Sequence, residues 1–218
     1  MKEPENRNPS IPPYTWLLSR WPNFMASFTQ SLRQEAVEHL QLKNGYRVLD
    51  VGCGTGMSFP YLVNAVGDRG EVVGVEISPD IAAQARKRVE HHGWSNVHIL
   101  VDAAQTVKLT GRFDGLLLFA AQEVLTSPLA LDHLLAYLQE DARVVAFGAK
   151  FSSARTAVLL NPLLGEITRH LLPSSSAPID EHPWRWLEER IGTLHKEERL
   201  HGFFYLVWGS LPLTERPG

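Results

Sequence analysis

The segment that most constrains the fold is residues 47–56, where a short apolar run ends in glycines at alternate positions. Arg47–Val51 has the composition of a buried strand and lies between Gly45 and Gly52. Residues 57–66 follow directly and have helical character. A strand, a glycine turn and a helix in succession open a nucleotide-binding βα unit, because glycines let the backbone turn sharply and approach a ligand closely.

The glycine turn differs from the turns that bind phosphate. Its spacing is Gly-x-Gly-x-Gly, at Gly52, Gly54 and Gly56, whereas dinucleotide folds carry Gly-x-Gly-x-x-Gly and phosphate loops carry Gly-Lys-Ser/Thr. Asp50 comes just before the turn, and the turn itself contains no Lys or Arg. An acid in this position suits a ligand with positive charge or hydrogen-bond donors, such as an amino-acid ammonium group.

The rest of the chain predicts a doubly wound α/β fold, because apolar strands alternate with helical segments. The first helical segment is residues 14–42, broken at Pro22, and Ser78 and Gly93 bound a later helix. Further strands are predicted at 71–76, 96–101, 113–119, 143–148, about 193–200 and 203–208, and further helices at 127–140, 156–172 and 183–191.

Three acids follow the first three predicted strands. Asp50, Glu76 and Asp102 lie at or near the carboxyl ends of these strands. In an open α/β sheet, those ends meet at the edge where ligands bind. Three carboxylates in one crevice repel one another, so we expect the crevice to hold a cationic ligand rich in hydrogen-bond donors.

The turn and its acids resemble motif I of the class I S-adenosylmethionine-dependent methyltransferases. This resemblance implies a Rossmann-like fold, with helices on both faces of a seven-stranded, mostly parallel sheet whose last strand is antiparallel. We expect one domain in all, with an N-terminal helical, aromatic segment at 1–42 and a methyltransferase domain at 43–218. The N-terminal segment either packs on the sheet as a core helix or, as the resemblance implies, forms a lid over the substrate. The cofactor residues that it implies are Asp50, Gly52, Cys53, Gly54, Thr55, Gly56, Glu76, Ile77, Asp102, Ala103 and Phe119.

Each of these cofactor residues has an expected partner. Asp50 and the turn should face the methionine part of S-adenosylmethionine, and Glu76 should accept both ribose hydroxyls. Ile77 should lie against the face of the adenine, while Asp102 and the Ala103 N–H should bind its edge. Phe119 follows the fourth strand, where the family places residues beside the sulfonium and the acceptor.

Residues near the acceptor are less clearly marked. As general bases we consider His170, His182 and Glu123, with His133 and Glu181 as further candidates, because a phenol or enol acceptor benefits from proton removal. The candidate substrate-binding residues are Tyr14, Trp16, Gln122 and Trp184. The aromatic ones could stabilise a cation by cation–π contact, or could simply pack in the core.

The carboxyl half adds a second resemblance. Residues 144–151, 180–184 and 202–209 are similar to the bacterial phosphatidylethanolamine N-methyltransferase-like and ubiquinone/menaquinone methyltransferase-like group. This similarity implies methyl transfer to nitrogen, oxygen or carbon of a small, largely apolar or lipid- or quinone-like acceptor. Two alternatives stay open: non-methylating chemistry such as 3-amino-3-carboxypropyl transfer or a cofactor-assisted rearrangement, and a non-catalytic cofactor-binding scaffold.

Composition and missing motifs narrow the partners. A formal charge of −3 argues against nucleic acid, as does the lack of the Asn/Asp-Pro-Pro-Tyr/Phe sequence of base methyltransferases. One cysteine excludes an internal disulfide framework, and no Cys/His spacing indicates a metal site. Residues 1–13 are polar, and no apolar run approaches the ~20 residues that span a bilayer. We expect a cytoplasmic protein, with little support for peripheral membrane contact through a basic helix.

Overall fold

The computed structural model describes residues 22–150 and 181–212, and the side chains of residues 29–150 and 181–212. Its sheet has seven strands in the order β3-β2-β1-β4-β5-β7-β6. All strands run parallel except β7, which is antiparallel to both β5 and β6. The strands are β1 Arg47–Val51, β2 Glu71–Glu76, β3 Val97–Val101, β4 Phe113–Phe119, β5 Leu138–Ala149, β6 His195–Arg199 and β7 Phe204–Ser210.

Six described helices connect or cover these strands. They are α1 Pro22–His39, α2 Phe59–Val66, α3 Pro79–His92, α4 Gln122–Leu125, α5 Pro128–Leu135 and α6 Arg185–Ile191. The sheet and its flanking helices confirm the predicted Rossmann-like architecture. The strand order reverses between β1 and β4, and such a switch point opens a crevice at the carboxyl ends of the strands.

The core has two layers, one on each face of the sheet. On one face, α1, α2 and α3 bury apolar side chains such as Leu40, Phe59 and Ala85. On the other face, α5 and α6 bury side chains such as Leu131 and Leu187. Both faces of the central strands are therefore covered, which explains why β4 is almost wholly apolar.

Helix α1 runs antiparallel to β4, which brings Arg33 to the ligand-binding edge. Leu40, just after the helix, lies close to Gly115 near the start of β4. Arg33, two turns earlier, lies over the ring of Phe119 at the end of β4. The part of the predicted lid segment that the structure describes is therefore packed on the sheet as a core helix, and it carries one charged side chain to the crevice.

Local signals set several boundaries as predicted. Ser78 caps α3 by accepting a hydrogen bond from the Ile81 N–H, and Gly93 ends the helix in the left-handed conformation. β2 and β4 have the predicted bounds. On α3, Ala82 and Ala85 face the sheet and are buried, whereas Ala83 is exposed.

The predicted helix at 127–140 is wrong in its second half. α5 ends at Leu135, and Leu138 begins β5, where it pairs with Phe113. Leu138 fits the helical spacing of the preceding leucines, but its side chain is buried from a strand instead. The predicted helix at 57–66 begins two residues late, at Phe59. The predicted helix at 156–172 and the part of the first helical segment before Pro22 lie outside the described residues.

Candidate active site

A cleft of about 570 Å³ opens at the carboxyl ends of β1, β2 and β4. It is bounded by the glycine turn, the loop after β3 and the residues between β4 and α5. Most of the predicted cofactor residues line it: Gly52, Cys53, Gly54, Thr55, Glu76, Ile77, Asp102 and Phe119. The structure therefore brings together the ends of three strands in one crevice, while their cofactor contacts stay predictions.

Two glycines of the turn show why its sequence is so restricted. Gly52 has φ +70°, and a Cβ there would lie 2.9 Å from the Cβ of Ala121 across the switch point. Gly54 has φ +57°, and a Cβ there would meet no atom within 4 Å. The backbone of Gly54 is therefore open toward the cleft, as close approach to a ligand requires. Gly56 does not line the cleft; a Cβ there would strike the ring of Phe59.

Glu76 joins the end of β2 to the glycine turn. Its side chain is only 8% exposed, and it accepts hydrogen bonds from the Gly54 N–H at 3.1 Å and the Ser78 N–H at 2.9 Å. Each carboxylate oxygen can accept a second hydrogen bond. Glu76 therefore orders the turn and, as a residue that lines the cleft, can still accept hydrogen bonds from ribose hydroxyls.

Asp50 lies behind the turn and does not line the cleft. The side chain is 1% exposed, and its Oδ2 atom has no hydrogen-bond partner among the described residues. Burial raises the pKa of Asp50 to about 7, Glu76 adds to this rise, and the Arg33 guanidinium opposes it. Asp50 is thus a carboxyl whose charge depends on pH near neutrality and on nearby cations.

The thiol of Cys53, inside the turn, is not activated. It is buried, and its pKa is raised mainly by that burial and further by the charges of Asp50 and Glu76. A thiol with a raised pKa is a poor nucleophile. Cys53 therefore serves as a small side chain that packs in the turn, against the backbone near Gly74.

The loop after β3 differs in detail from the expectation. Asp102 lines the cleft, but its Oδ1 atom accepts the Ala103 N–H at 2.7 Å and the Thr106 hydroxyl at 2.9 Å. Ala103 does not line the cleft, whereas Ala104 and Gln105 do. The Ala103 N–H expected at the adenine edge is therefore already bound by its neighbour, because an Asp at a turn readily accepts nearby backbone N–H groups.

Ile77 presents apolar surface to the cleft. It is 68% exposed although it is a large apolar residue, and it lies directly after Glu76. An exposed isoleucine beside a carboxylate suits a ligand that has hydroxyls next to a flat ring. Its predicted contact with adenine is consistent with this position.

The residues after β4 form the wall opposite the glycine turn. Ala120 has φ +59°, an uncommon conformation for a residue with a side chain, and such strain is often found at functional sites. Phe119 stacks on Phe147 with ring centroids 4.5 Å apart, and Phe147 stacks in turn on Phe204 at 5.8 Å. Glu123 lines the cleft at this wall.

The remaining predicted acceptor residues are not gathered in the cleft. Gln122 is buried beside the cleft wall, and its Oε1 accepts the Tyr205 hydroxyl at 2.8 Å. Trp184 is 6% exposed and packs edge-on against Tyr205 in the core, because its large ring fills space between α6 and the sheet. His182 is exposed beside Trp184 and does not line the cleft. Tyr14, Trp16 and His170 lie outside the described residues.

Several residues that line the cleft were missed from the sequence. The most informative is Arg33, and others are Met57, Ile81, Ala104, Gln105, Val124, Ser127 and Ala130. Arg33 did leave a signal, because it precedes Val37 and Leu40 by four and seven positions on the apolar face of α1. A charged residue on a buried helical face indicates a special role.

The cleft fits S-adenosylmethionine in size and chemistry. Its volume lies within the ~300–1,000 Å³ usual for small-molecule sites. Buried or half-buried acids face the cleft or lie behind it, and one of them, Asp50, has a carboxylate oxygen without a partner among the described residues. Open glycine backbone and an exposed isoleucine form the rim. This combination of groups suits a ligand with positive charge, hydroxyls and a flat ring.

Comparison with known families decides the classification. Residues 25–146 match the sequence model of the family described as protein-L-isoaspartate(D-aspartate) O-methyltransferase (PCMT). The chain belongs to this family. By descent it is therefore related to the class I S-adenosylmethionine-dependent methyltransferases, a group whose cofactor is S-adenosylmethionine.

Two curated relatives show the range of the PCMT-like sequences. Aklanonic acid methyltransferase DauC of Streptomyces sp. (strain C5) is 31% identical over 150 residues, which cover 67% of this chain and 64% of DauC. A protein-L-isoaspartate O-methyltransferase of Ignicoccus hospitalis is 34% identical over 86 residues, 39% of this chain and 41% of that protein. The chain thus spans less than two thirds of the length of these relatives.

Solved structures share the fold. The methyltransferase SibL, in its apo form, superposes with a TM-score of 0.66 at 23% identity, covering 93% of this chain and 60% of that chain. At this identity the likeness shows the architecture alone. Among the residues that the structure describes, no helix is both long and apolar enough to cross a membrane.

Proposed function

We propose that the protein transfers the methyl group of S-adenosylmethionine to a small, largely apolar acceptor. The observation that carries this proposal is the apolar wall after β4, where Phe119, Ala120 and Ala121 line the cleft. Phe119 heads an aromatic row whose other rings, Phe147 and Phe204, stack behind it outside the cleft lining. A ring with alanines beside it favours a flat, apolar molecule over a charged one. A lipid- or quinone-like acceptor, as in the group that the carboxyl half resembles, falls within this class.

The chain's own contribution is to bind and orient. Bound S-adenosylmethionine supplies a methyl group that is already electrophilic on its sulfonium. Glu76 and the glycine turn hold one side of the cleft, while Phe119 and the strained Ala120 shape the other. Holding two reactants in line can lower a barrier by ~7–11 kcal/mol in favourable cases. Catalysis by alignment and exclusion of water therefore requires few reactive side chains.

Glu123 is the predicted base that the geometry supports best. Glu123 lines the cleft at the wall formed by the residues after β4, whereas His182 does not line the cleft. A carboxylate at this position can accept the proton of a phenol or enol as its oxygen or carbon attacks. We therefore propose Glu123, and not His182, as the general base.

A second candidate acceptor is a carboxylate, as in an isoaspartyl residue of a protein. The family description and the Ignicoccus hospitalis relative favour it. However, the match to the family model ends at residue 146, before the end of β5, and so covers mainly the cofactor half. The match to DauC, an enzyme named for a small molecule, extends over more of the chain.

One labelling experiment tests these acceptors together. The protein is incubated with methyl-labelled S-adenosylmethionine and, in parallel, with a neutral aromatic phenol, a quinol and an isoaspartyl peptide. We expect label in the phenolic or quinol acceptor and none in the peptide. Label in the peptide alone would replace the proposal by carboxylate methylation. Consumption of the cofactor without transfer of label would support 3-amino-3-carboxypropyl transfer or rearrangement, and no consumption would support a scaffold. Glu76→Gln serves as the control with a weakened cofactor site.

A further inference from the structure

The cleft contains one basic side chain among the described residues that line it, and this side chain is Arg33. Its Nη1 atom donates a hydrogen bond to the hydroxyl of Ser58 at 3.0 Å, and its guanidinium lies 4.0 Å above the ring of Phe119. Its Nε atom is buried and has no partner among the described residues. Arg33 is thus fixed in place by α2 and β4 with donor capacity left over.

Asp50 is the complementary charge nearby. Its Oδ2 atom is also buried without a partner among the described residues. Burial lowers the pKa of Arg33, and the charge of Asp50 partly opposes that shift. The described ion pairs nevertheless include none between these two residues. A buried polar atom that lacks a partner destabilises the fold unless a ligand supplies one. The two residues therefore form opposite poles, each with an unused hydrogen-bonding atom.

An α-amino acid carries the two charges that match these poles, a carboxylate and an ammonium group on one carbon. We infer that Arg33 binds the α-carboxylate of the cofactor's amino-acid moiety and so selects intact S-adenosylmethionine over its decarboxylated form. The inference rests on S-adenosylmethionine as the cofactor and does not depend on the acceptor. The ammonium group of the cofactor then lies on the side of the cleft that is in front of Asp50.

The other charges of the cleft agree with this assignment. Glu76, Asp102 and Glu123 all line it, and each would repel a carboxylate. The amino-acid end of the ligand is therefore drawn to the one part of the lining that carries positive charge. A planar guanidinium also matches a carboxylate in shape, which an ammonium does not.

Arg88 offers a contrast close by. Its Nε atom donates to the Thr55 carbonyl at 3.0 Å, its Nη2 atom lies 3.0 Å from the Met57 sulfur, and it does not line the cleft. Arg88 uses its donors to hold the glycine turn from α3. Arg33 and Arg88 thus approach the turn from different helices with different roles, and of the two only Arg33 lines the cleft.

The binding of two ligands to the unmodified protein and to its Arg33→Gln variant tests the inference. S-adenosylhomocysteine keeps the amino-acid end, whereas S-adenosyl-3-thiopropylamine keeps the amine and lacks the carboxylate. By titration calorimetry, we expect Arg33→Gln to weaken S-adenosylhomocysteine by roughly 10–100-fold, the value of a lost charged hydrogen-bond pair. We expect it to change the affinity for the decarboxylated ligand by less than about 3-fold.

Two further variants keep the test decisive. Arg86→Gln removes the same charge from the exposed side of α3, where Arg86 contacts the Ile99 carbonyl, and should leave both affinities unchanged. If Arg33→Gln fails to fold, Ser58→Ala removes only the hydroxyl that holds Arg33. It should weaken S-adenosylhomocysteine selectively, by a smaller factor.

Equal weakening of both ligands in the Arg33 variant would overturn the inference, because it would indicate a structural role. Unchanged affinity for S-adenosylhomocysteine would overturn it as well, and a raised acceptor KM would then place Arg33 at the acceptor. Failure of methyl transfer to every acceptor tried would bear on the proposed function alone, since these measurements need no acceptor.

Discussion

The two rims of the cleft are built on different principles. Along β2 and β3 the rim is polar: Glu76 and Asp102 line the cleft and accept backbone N–H groups, and Asp50 is buried behind the glycine turn. Along β4 the rim is mostly apolar: Phe119, Ala120 and Ala121 line it, and Phe119 stacks on the buried ring of Phe147. The first rim can recognise a ligand by charge and hydrogen bonds, whereas the second recognises one mainly by shape and apolar contact.

This difference indicates which of the two reactants, the cofactor or the acceptor, each rim is suited to bind. A charged, hydroxyl-rich cofactor needs the polar rim, and its identity constrains the residue types there. An apolar acceptor needs only a surface of suitable shape, which many residue combinations provide. Arg33 is the exception, because it stands on α1 over Phe119, where the two rims meet.

The strongest way to break both rims at once is Gly52→Ala. The added Cβ would lie 2.9 Å from the Cβ of Ala121, and φ +70° disfavours any side chain. Strain and overpacking together should lower the free energy of unfolding by roughly 2–4 kcal/mol. Denaturant unfolding measures this, with Gly54→Ala as the matched control: it has a similar φ but no atom within 4 Å of the new Cβ. Equal losses in the two variants would contradict the close contact across the switch point.

The polar rim alone is tested by Glu76→Ala. The change removes the carboxylate that accepts the Gly54 and Ser78 N–H groups, so cofactor affinity should fall by ~1–3 kcal/mol. Titration with S-adenosylhomocysteine measures this. Glu71→Ala, at the other end of β2 in an ion pair with Arg47, is the control and should bind normally. Unchanged affinity in the Glu76 variant would remove Glu76 from the site.

The pH dependence of the polar rim follows from Asp50. Its pKa is raised to about 7, so the folded protein binds this proton more tightly than the unfolded chain does. The free energy of unfolding should therefore fall as pH rises from about 4 to about 7 and then level off. Asp50→Asn should remove this fall and stabilise the protein above pH 7 by roughly 1–3 kcal/mol. The exposed Asp68→Asn is the control.

Cofactor binding should show the opposite trend with pH. A cationic ligand favours the ionised Asp50, so its affinity should rise between about pH 6 and pH 8, and binding at pH 7 should release protons. Titrations in buffers of different ionisation enthalpy measure that release. A flat affinity profile for the unmodified protein, with no proton release, would show that the charge of Asp50 does not reach the ligand.

The apolar rim is tested by Phe147→Leu, which removes the middle ring of the aromatic row. We expect a loss of roughly 1–2 kcal/mol in stability, a raised acceptor KM and an unchanged affinity for S-adenosylhomocysteine. Phe113 is a buried phenylalanine at the start of β4. The Phe113→Leu variant should lose a similar amount of stability without a raised acceptor KM. If the two variants matched in KM, the row would have no role in the acceptor site.

The sequence predicted the polar rim better than the apolar one for a physical reason. Three glycines at alternate positions after a buried strand, with acids at the ends of successive strands, form a specific pattern that indicates their roles directly. Aromatic residues are common in any core, so Trp184 could be placed at the substrate although it packs against Tyr205. The support that Phe147 gives to Phe119 at the cleft is visible only in the pairing of β5 with β4.

The prediction of secondary structure failed where one residue fitted both a helical and a strand pattern. Leu138 continues the leucine spacing of α5 and equally suits the buried start of β5, and pairing with Phe113 decides for the strand. Arg33 was missed for another reason, since it precedes the glycine motif and reaches the cleft only through the packing of α1 on β4. Contacts between distant segments are not visible in local spacing.

The most direct test of the account is a calorimetric titration of the unmodified protein with S-adenosylhomocysteine at pH 8, repeated with Glu76→Ala. The account predicts one site per chain, with a Kd in the range of about 1–100 μM, and a clear loss in the variant. Absence of binding by the folded, unmodified protein at millimolar ligand would contradict the claim that the glycine turn and its acids form a cofactor site.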